Sequence, residues 1–408
     1  LEGMKSYGRS NSSKRFDSKS FVNQVNNEVA TVNEQEAQPN IFEAGSFSDT
    51  TTLGGSVVFA ATAIDGATKV NSSATESLQT MYTYTMDLNT SFTGDDNLYV
   101  RLRTGNSYAA NGSFKEKTAF YHTDTYSGGT DSLAVDKIWY TFPINGSENW
   151  TGFVGPKIEN YYMYAAPVSL YRPGFHKAFK LGSLSASFGA STATGVGVKY
   201  VGDNGWAFSS NVVSKGADDS AGFLSNEDES KWDTMVAYTQ DQYHVSLNIS
   251  QQHEDWTSFS YYATDAAHDV DEDTNATAYA LRAYWRPETS GTATPEVSVG
   301  YDTVSFEGQA GSGKVKEASS YFIGLGWPDM FQDSDYIGIG FGQPLKVDET
   351  VSDSAADAGL DPLLWEVSYS FKVNDSVTMI PTVFGGNDIQ SETEQDLVGV
   401  ALTTKFKF

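Results

Sequence analysis

The chain has 408 residues, no cysteine, 39% hydrophobic and 13% aromatic content, and a formal charge of −26. This excludes a disulfide-stapled scaffold and a thiolate zinc site, and it argues against a nucleic-acid partner, which requires basic patches. The length suits one large barrel or roughly two to three soluble domains. No stretch nears the roughly 18 continuous apolar residues of a transmembrane helix; a β-barrel escapes that test, because only alternate strand residues face lipid.

Residues 1–46 read as a separate N-terminal arm. Leu1 onward lacks a basic start followed by an apolar core, the reading of a mature or trimmed chain if the protein is exported. Up to Ser20 the arm is polar and basic, with Lys5, Arg9, Lys14, Arg15 and Lys19 against Glu2 and Asp17. Val22, Val25, Val29 and Val32 then follow an a/d spacing over less than two heptads. A short helix in an oligomeric coiled coil and a disordered polar arm both fit, since so short a repeat has no independent stability.

From Thr51 onward, period-two alternation dominates. Tyr82, Tyr84, Met86 and Leu88 oppose Thr83, Thr85, Asp87 and Asn89, and Leu98, Val100 and Leu102 oppose Tyr99, Arg101 and Arg103. Ile138, Tyr140, Phe142 and Ile144 alternate in the same way. Tyr243, Val245, Leu247 and Ile249 oppose His244, Ser246, Asn248 and Ser250. Tyr279, Leu281, Ala283 and Trp285 oppose Ala280, Arg282, Tyr284 and Arg286. Trp365, Val367, Tyr369, Phe371 and Val373 oppose Glu366, Ser368, Ser370 and Lys372. The last strand, Asp396–Phe408, ends on an aromatic, with Val398, Val400, Leu402, Thr404, Phe406 and Phe408 on one face and Lys405 and Lys407 on the other. Chain ends usually fray, whereas the closing strand of an outer-membrane barrel is held and meets lipid.

A soluble sandwich would alternate too; the connections discriminate. Short turns at Gly94–Asp96, Asn145–Glu148, Gly202–Gly205, Asp241–Gln242, Glu288–Thr292, Pro328–Ser334 and Asn374–Asp375 alternate with long links near 62–76, 105–131, 158–191, 214–230, 252–275, 305–317, 343–362 and 386–395. Seven turns and eight links connect sixteen strands. The predicted fold is a 16-stranded antiparallel transmembrane β-barrel over residues 47–408, with short periplasmic turns, long outer loops and both barrel ends on the periplasmic side. Trp150, Trp206, Trp285, Trp327 and Trp365 sit near proposed strand ends, as girdle residues or as core. Acids crowd three outer loops: Glu254, Asp255, Asp265, Asp269, Asp271, Glu272 and Asp273; Asp218, Asp219, Glu227, Asp228 and Glu229; and Asp348, Glu349, Asp353, Asp357 and Asp361.

The stretches FEAGSFSDTTTLGGSVVFA at 42–60 and LLWEVSYSFKVNDSVTMIPTVF at 363–384, with the terminal strand, resemble the carbohydrate-selective porin family, more closely its cyanobacterial branch. The resemblance implies a sixteen-stranded, water-filled and often homotrimeric barrel in the cell outer membrane, among outer-membrane lipids and lipopolysaccharide. It also implies passage of small solutes or ions, and peptidoglycan contact through an upstream domain that this chain lacks. In general porins the third outer loop folds inward. Here that link is the longest, and it holds Lys157, Arg172, Lys177 and Lys180 against Glu159, plus His176 and the aromatics Tyr161, Tyr162, Tyr164, Tyr171, Phe175 and Phe179. Arg101, Arg103, Lys199, Arg282 and Arg286 fall on faces assigned to the lumen, since facing lipid would cost about 2–4 kcal/mol each at mid-membrane.

These ten residues make up the predicted constriction, a basic ring favouring anions. Three alternatives stand beside it. The arginines brace the wall through Asp87 and Glu366; the loop tyrosines stack on sugars in a sugar-selective porin; or the barrel is a non-conducting surface binder or adhesin. No cofactor or resident metal is predicted: the five histidines lack ligand spacing, and Asp269–Asp273 departs from a calcium loop at Thr274 and Ala280, leaving only a nonspecific divalent contact. No phosphate loop, dinucleotide fingerprint or Gly-x-Ser-x-Gly marks an enzyme.

Overall fold

The computed structural model describes residues 50–66, 76–107, 122–126, 131–189, 191–254, 256, 274–309, 311, 313–351, 362–388 and 396–408. Its strands, in chain order, are β1 (Thr51–Asp65), β2 (Gln79–Thr90), β3 (Asn97–Gly105), β4 (Ala134–Pro143), β5 (Trp150–Ile158), β6 (Ala193–Val201), β7 (Trp206–Ser214) and β8 (Ser230–Thr239). They continue as β9 (Tyr243–His253), β10 (Asn275–Trp285), β11 (Glu296–Glu307), β12 (Val315–Pro328), β13 (Tyr336–Thr350), β14 (Leu363–Asn374), β15 (Val377–Asn387) and β16 (Asp396–Lys407). Each pairs antiparallel with its sequence neighbours, and β1 pairs with β16, closing the barrel. Closure leaves no sheet edge, which is what an all-strand membrane protein requires.

Alternation in the sequence becomes two faces of one wall. In β16, Val398, Val400 and Leu402 are exposed outside, while Leu397, Ala401 and Thr403 are buried inside. At the seam Phe59 pairs with Thr404 and packs edge-on against Phe406, centroids 5.3 Å apart. Phe408 stacks on Tyr84 at 6.0 Å, and its backbone exchanges two hydrogen bonds with Gly55. The terminal aromatic therefore closes the last strand against the first, at the short-turn end, as its sequence suggested.

Short and long connections alternate around the barrel except at 308–314, which is shorter than the neighbouring 286–295 turn. Two links are shorter than the sequence implied: β13 runs to Thr350, leaving 351–362, and β11 and β12 leave only 308–314 between them. The sequence reading assigns Lys346, Asp348 and Glu349 to the outer link at 343–362. The β12–β13 pair carries them on through several register shifts, with Lys316 against Glu349. On this stretch of β13 the apolar residues face inward, with Leu345 and Val347 buried, while Asp348 is exposed outside. Trp150 and Trp206 open strands, and Trp285 and Trp327 sit at or next to strand ends, all four at the short-turn rim. Trp365 lies near the opposite end. The arm 1–46, most of the acids of the link near 252–275, and Asp353, Asp357 and Asp361 lie outside the described residues.

Candidate functional site

The 159–192 connection, loop three, folds inside the barrel, and its aromatic residues explain why. Tyr161, Tyr162, Tyr164, Tyr171, Phe175 and Phe179 are all buried. Tyr162 stacks on Trp139 of β4 at 4.9 Å, and Trp139 packs on Tyr99 of β3 at 4.2 Å. Phe179 meets Phe322 of β12 at 5.0 Å, and Phe175 lies flat on Phe384 of β15 at 3.5 Å. The loop thus spans the bore from one wall to the other. Each buried ring contributes about 1.5–3 kcal/mol relative to exposure.

Polar fastenings fix the loop's height. Lys231 on β8 donates to the carbonyls of Ser187 and Gly189, both at 2.6 Å, and lies 3.5 Å from Asp233. Asn248 and Gln252 on β9 reach Ser187 and Ala186. Arg282 on β10 donates to the carbonyls of Leu181 at 2.8 Å and Ser183 at 2.7 Å, and pairs with Asp302 at 2.8 Å, both charges fully buried. Gly300, beside them on β11, approaches so closely that a Cβ there would sit 1.7 Å from the Gly182 carbonyl oxygen.

On the far wall, the fully buried carboxylate of Glu366 receives the backbone N–H groups of Gly174, Phe175 and His176 at 2.8–2.9 Å and the Tyr171 hydroxyl at 2.8 Å. Charge-assisted bonds of this kind are the strong ones. Gly174 passes where a Cβ would meet Ser368 at 2.5 Å. Residues 122–126 of the preceding outer loop add a last tie: Thr123 N–H donates to the Phe175 carbonyl at 3.0 Å, and His122 Nε2 sits 2.7 Å from Thr403 of β16.

A further set of charges gathers along the loop's edge facing β2–β4 and β16. Arg101 pairs with Asp87 at 3.0 Å and lies 3.9 Å from Asp136; its register partner Lys137 pairs with Glu159 at 2.8 Å. Lys405 lies 3.9 Å from Asp124, whose other cationic neighbours are Arg103 and Lys180. Lys177 shares the field of Glu159 with Lys137. Arg101, Arg103, Lys137, Lys177, Lys180 and Lys405 thus surround the loop's edge facing β2–β4 and β16, against Asp87, Asp124, Asp136 and Glu159. The β10–β13 side of the outer mouth is instead filled by Ala276, Ala278, Val304, Phe306, Val315, Ala318, Leu345 and Val347.

The ten predicted residues divide accordingly. Arg101, Arg103, Lys177 and Lys180 belong to this cluster; Arg103 lies 4.8 Å over the Tyr126 ring and Lys180 5.1 Å over Tyr161. Lys199 points inward on β6, 5.5 Å over Phe153. Arg172 is exposed on loop three, 4.7 Å over Tyr336, away from the cluster. His176 is buried against Phe384, its Nε2 3.1 Å from the Trp365 carbonyl. Lys157 is exposed at the bulged end of β5. Arg282 is a buried fastening. Arg286 lies just beyond β10, where its Nε–H donates to the Asp241 carbonyl of the neighbouring turn at 2.8 Å. Lys137 was not singled out from sequence, although the parity that puts Ile138 and Tyr140 outside puts Lys137 and Trp139 inside.

A family profile described as carbohydrate-selective porin, OprB family, matches residues 24–384. Among solved structures, the high-pH form of Pseudomonas putida OprB aligns over 88% of this chain and 94% of its own, with TM-score 0.58 at 11% identity. A loop-deletion mutant of the Vibrio cholerae outer-membrane protein OmpT aligns over 88% and 99%, with TM-score 0.54 at 9% identity. A mutant of the Rh. blastica porin aligns over 88% and 100%, with TM-score 0.52 at 10% identity. At such identities the likeness is one of fold. No curated protein matches the chain.

Proposed function

Because the chain belongs to the carbohydrate-selective porin, OprB family, an outer-membrane channel and not an enzyme, we propose that its constriction lies between loop three and the β2–β4 and β16 wall and favours anions. The observation that carries this is the convergence of six cations on four carboxylates at the loop's edge facing β2–β4 and β16. At close range, rings of charged side chains set ion preference. Lys177 sharpens the expectation. Burial pulls its ammonium down to about 8, against the opposing effect of Glu159. It is therefore charged below that pH and neutral above. In a planar bilayer under a KCl gradient, the reversal potential should report anion preference at pH 6.5 and weaken at pH 9.5, with Lys177→Ala reducing the pH response. Cation preference at pH 6.5 overturns the proposal.

A second reading, passage of sugars, draws on the family's name and on the interleaved carboxylates and cations, which together offer acceptors and donors to hydroxyls. The loop's tyrosines do not favour stacking on pyranose rings, since Tyr161 and Tyr162 are consumed by packing on each other and on Trp139. Liposome swelling in glucose against gluconate separates the two readings.

We further propose a homotrimer, held through the β16–β1–β2 wall. There Ala61 floors a hollow of about 310 Å³ bounded by Phe59, Tyr82, Leu402 and Thr404, a fit for a neighbour's side chain. Crosslinking in mild detergent should trap three copies, and Ala61→Trp should reduce the trapped fraction. The arm 1–46 is assigned to the periplasmic side, to which the start of β1 belongs. A cyanobacterial source and peptidoglycan contact rest on the sequence resemblance alone.

A further inference from the structure

On the outside of the wall, the side chains of β7–β11 change character across four residues. Phe208, Val236, Leu247, Leu281 and Tyr301 are register partners across five strands, all exposed and nearly all aliphatic or aromatic carbon. Four residues nearer the outer rim, about 13 Å along the strands, the corresponding row reads Val212, Trp232, Gln251, Thr277 and Ser305. That step from carbon to amide and hydroxyl is where hydrocarbon gives way to headgroups.

A groove of about 460 Å³ lies at this border, floored by Val212, Trp232, Gln251 and Thr277 and roofed by Leu224–Asn226 of the 215–229 connection. The roof is held in place. Fully buried Asp228 accepts the N–H groups of Gly216 at 2.8 Å and Leu224 at 2.7 Å, and its carbonyl lies 3.1 Å from His253 Nδ1. Leu224 adopts φ 56°, a left-handed conformation that non-glycine residues rarely take. It stays half exposed beside Phe223. A connection held this way keeps an apolar pair and a polar rim above the lipid-facing wall.

The lining chemistry selects an occupant. Among the described residues its lining has no lysine or arginine, one carboxylate, Glu307, and one imidazole, His253. A phosphate headgroup finds no counter-charge there. Trp232 presents an indole that is 55% exposed, and its ring is oriented by Nε1–H donating to Ser210 at 2.8 Å. Around it stand the amides of Asn226, Gln251 and Asn275 and the hydroxyls of Ser225 and Thr277. A fixed aromatic face with amides at its rim suits the C–H face and hydroxyls of a sugar, and the carbon rows below suit acyl chains. We propose that this groove binds the uncharged glycosyl headgroup of a membrane glycolipid, whose chains descend over Leu247 and Leu281. The proposal rests on the outer-membrane reading above.

The test is native mass spectrometry of the detergent-solubilised protein offered equal amounts of digalactosyl diacylglycerol and phosphatidylglycerol, with conductance of the same preparation measured in parallel. The glycolipid should be retained about tenfold over the phospholipid, a difference of about 1.4 kcal/mol. Trp232→Leu and Gln251→Leu should abolish the preference, while Trp206→Leu, at the opposite rim, should not. Equal retention, a phospholipid preference, or insensitivity to both groove substitutions overturns the proposal. So does equally strong binding of free digalactose, or a change of oligomeric state in the groove variants. A conducting preparation without lipid preference counts against the groove alone, and a non-conducting one against the porin reading.

Discussion

Glu366→Ala is expected to release loop three from the far wall and raise single-channel conductance several-fold, with increased open-channel noise. The carboxylate is the shared acceptor of three consecutive backbone N–H groups and one phenol in a fully buried setting. Deleting it leaves four donors with no replacement, each a loss of about 1–3 kcal/mol. The barrel's own ladder is untouched, because Glu366 pairs with Gly340 and Phe384 through backbone alone. The variant should therefore migrate as a folded barrel in unheated gels while its conductance changes. A folded Glu366→Ala channel with unchanged conductance and noise would show that the clamp does not set the aperture.

The second large effect is on stability. Asp302→Ala strands the Arg282 guanidinium with no carboxylate in a site of zero exposure. Breaking a buried pair from one side costs about 3–5 kcal/mol, whereas replacing both members by apolar groups of similar volume is often near neutral. Reversible urea unfolding in lipid vesicles should show that loss for Asp302→Ala and substantial recovery in Arg282→Met with Asp302→Leu. Recovery should be incomplete, because Arg282 also holds the carbonyls of Leu181 and Ser183. A loss below about 1 kcal/mol in the single variant would place this pair with exposed ones.

Strand number, order, parity and closure were legible in the sequence because a membrane barrel writes them locally: each residue's face is fixed by its neighbour two positions away. The same rule located Arg101, Arg103 and Lys199 inside. It failed for Arg286, which continues the parity of Arg282 but falls one residue past the end of β10. It also misdrew the β13 boundary, where the apolar residues Leu345 and Val347 face inward and the polar ones outward.

The inner contacts were less legible. Arg282 binds carbonyls 99 and 101 residues away, and backbone carbonyls leave no trace in composition. The bracing alternative held for Arg101 with Asp87. Glu366 instead takes the main chain of loop three. The surplus of cations in that loop was visible, but which of them share one edge depends on where its aromatics seat, and that is a property of the whole bore.

The Glu366 clamp joins residues about 190 positions apart, and Thr403 is tied to His122 across 281. Contacts this distant in sequence carry a large loop-closure entropy and form late. The constriction therefore cannot exist until the last three strands are in place. Until then loop three has no far wall to bind, and the sheet itself is still open, since β1 finds its second partner only in β16. Selectivity and closure are thus acquired together at the end of assembly, and truncation from the C-terminus should abolish the channel instead of widening it.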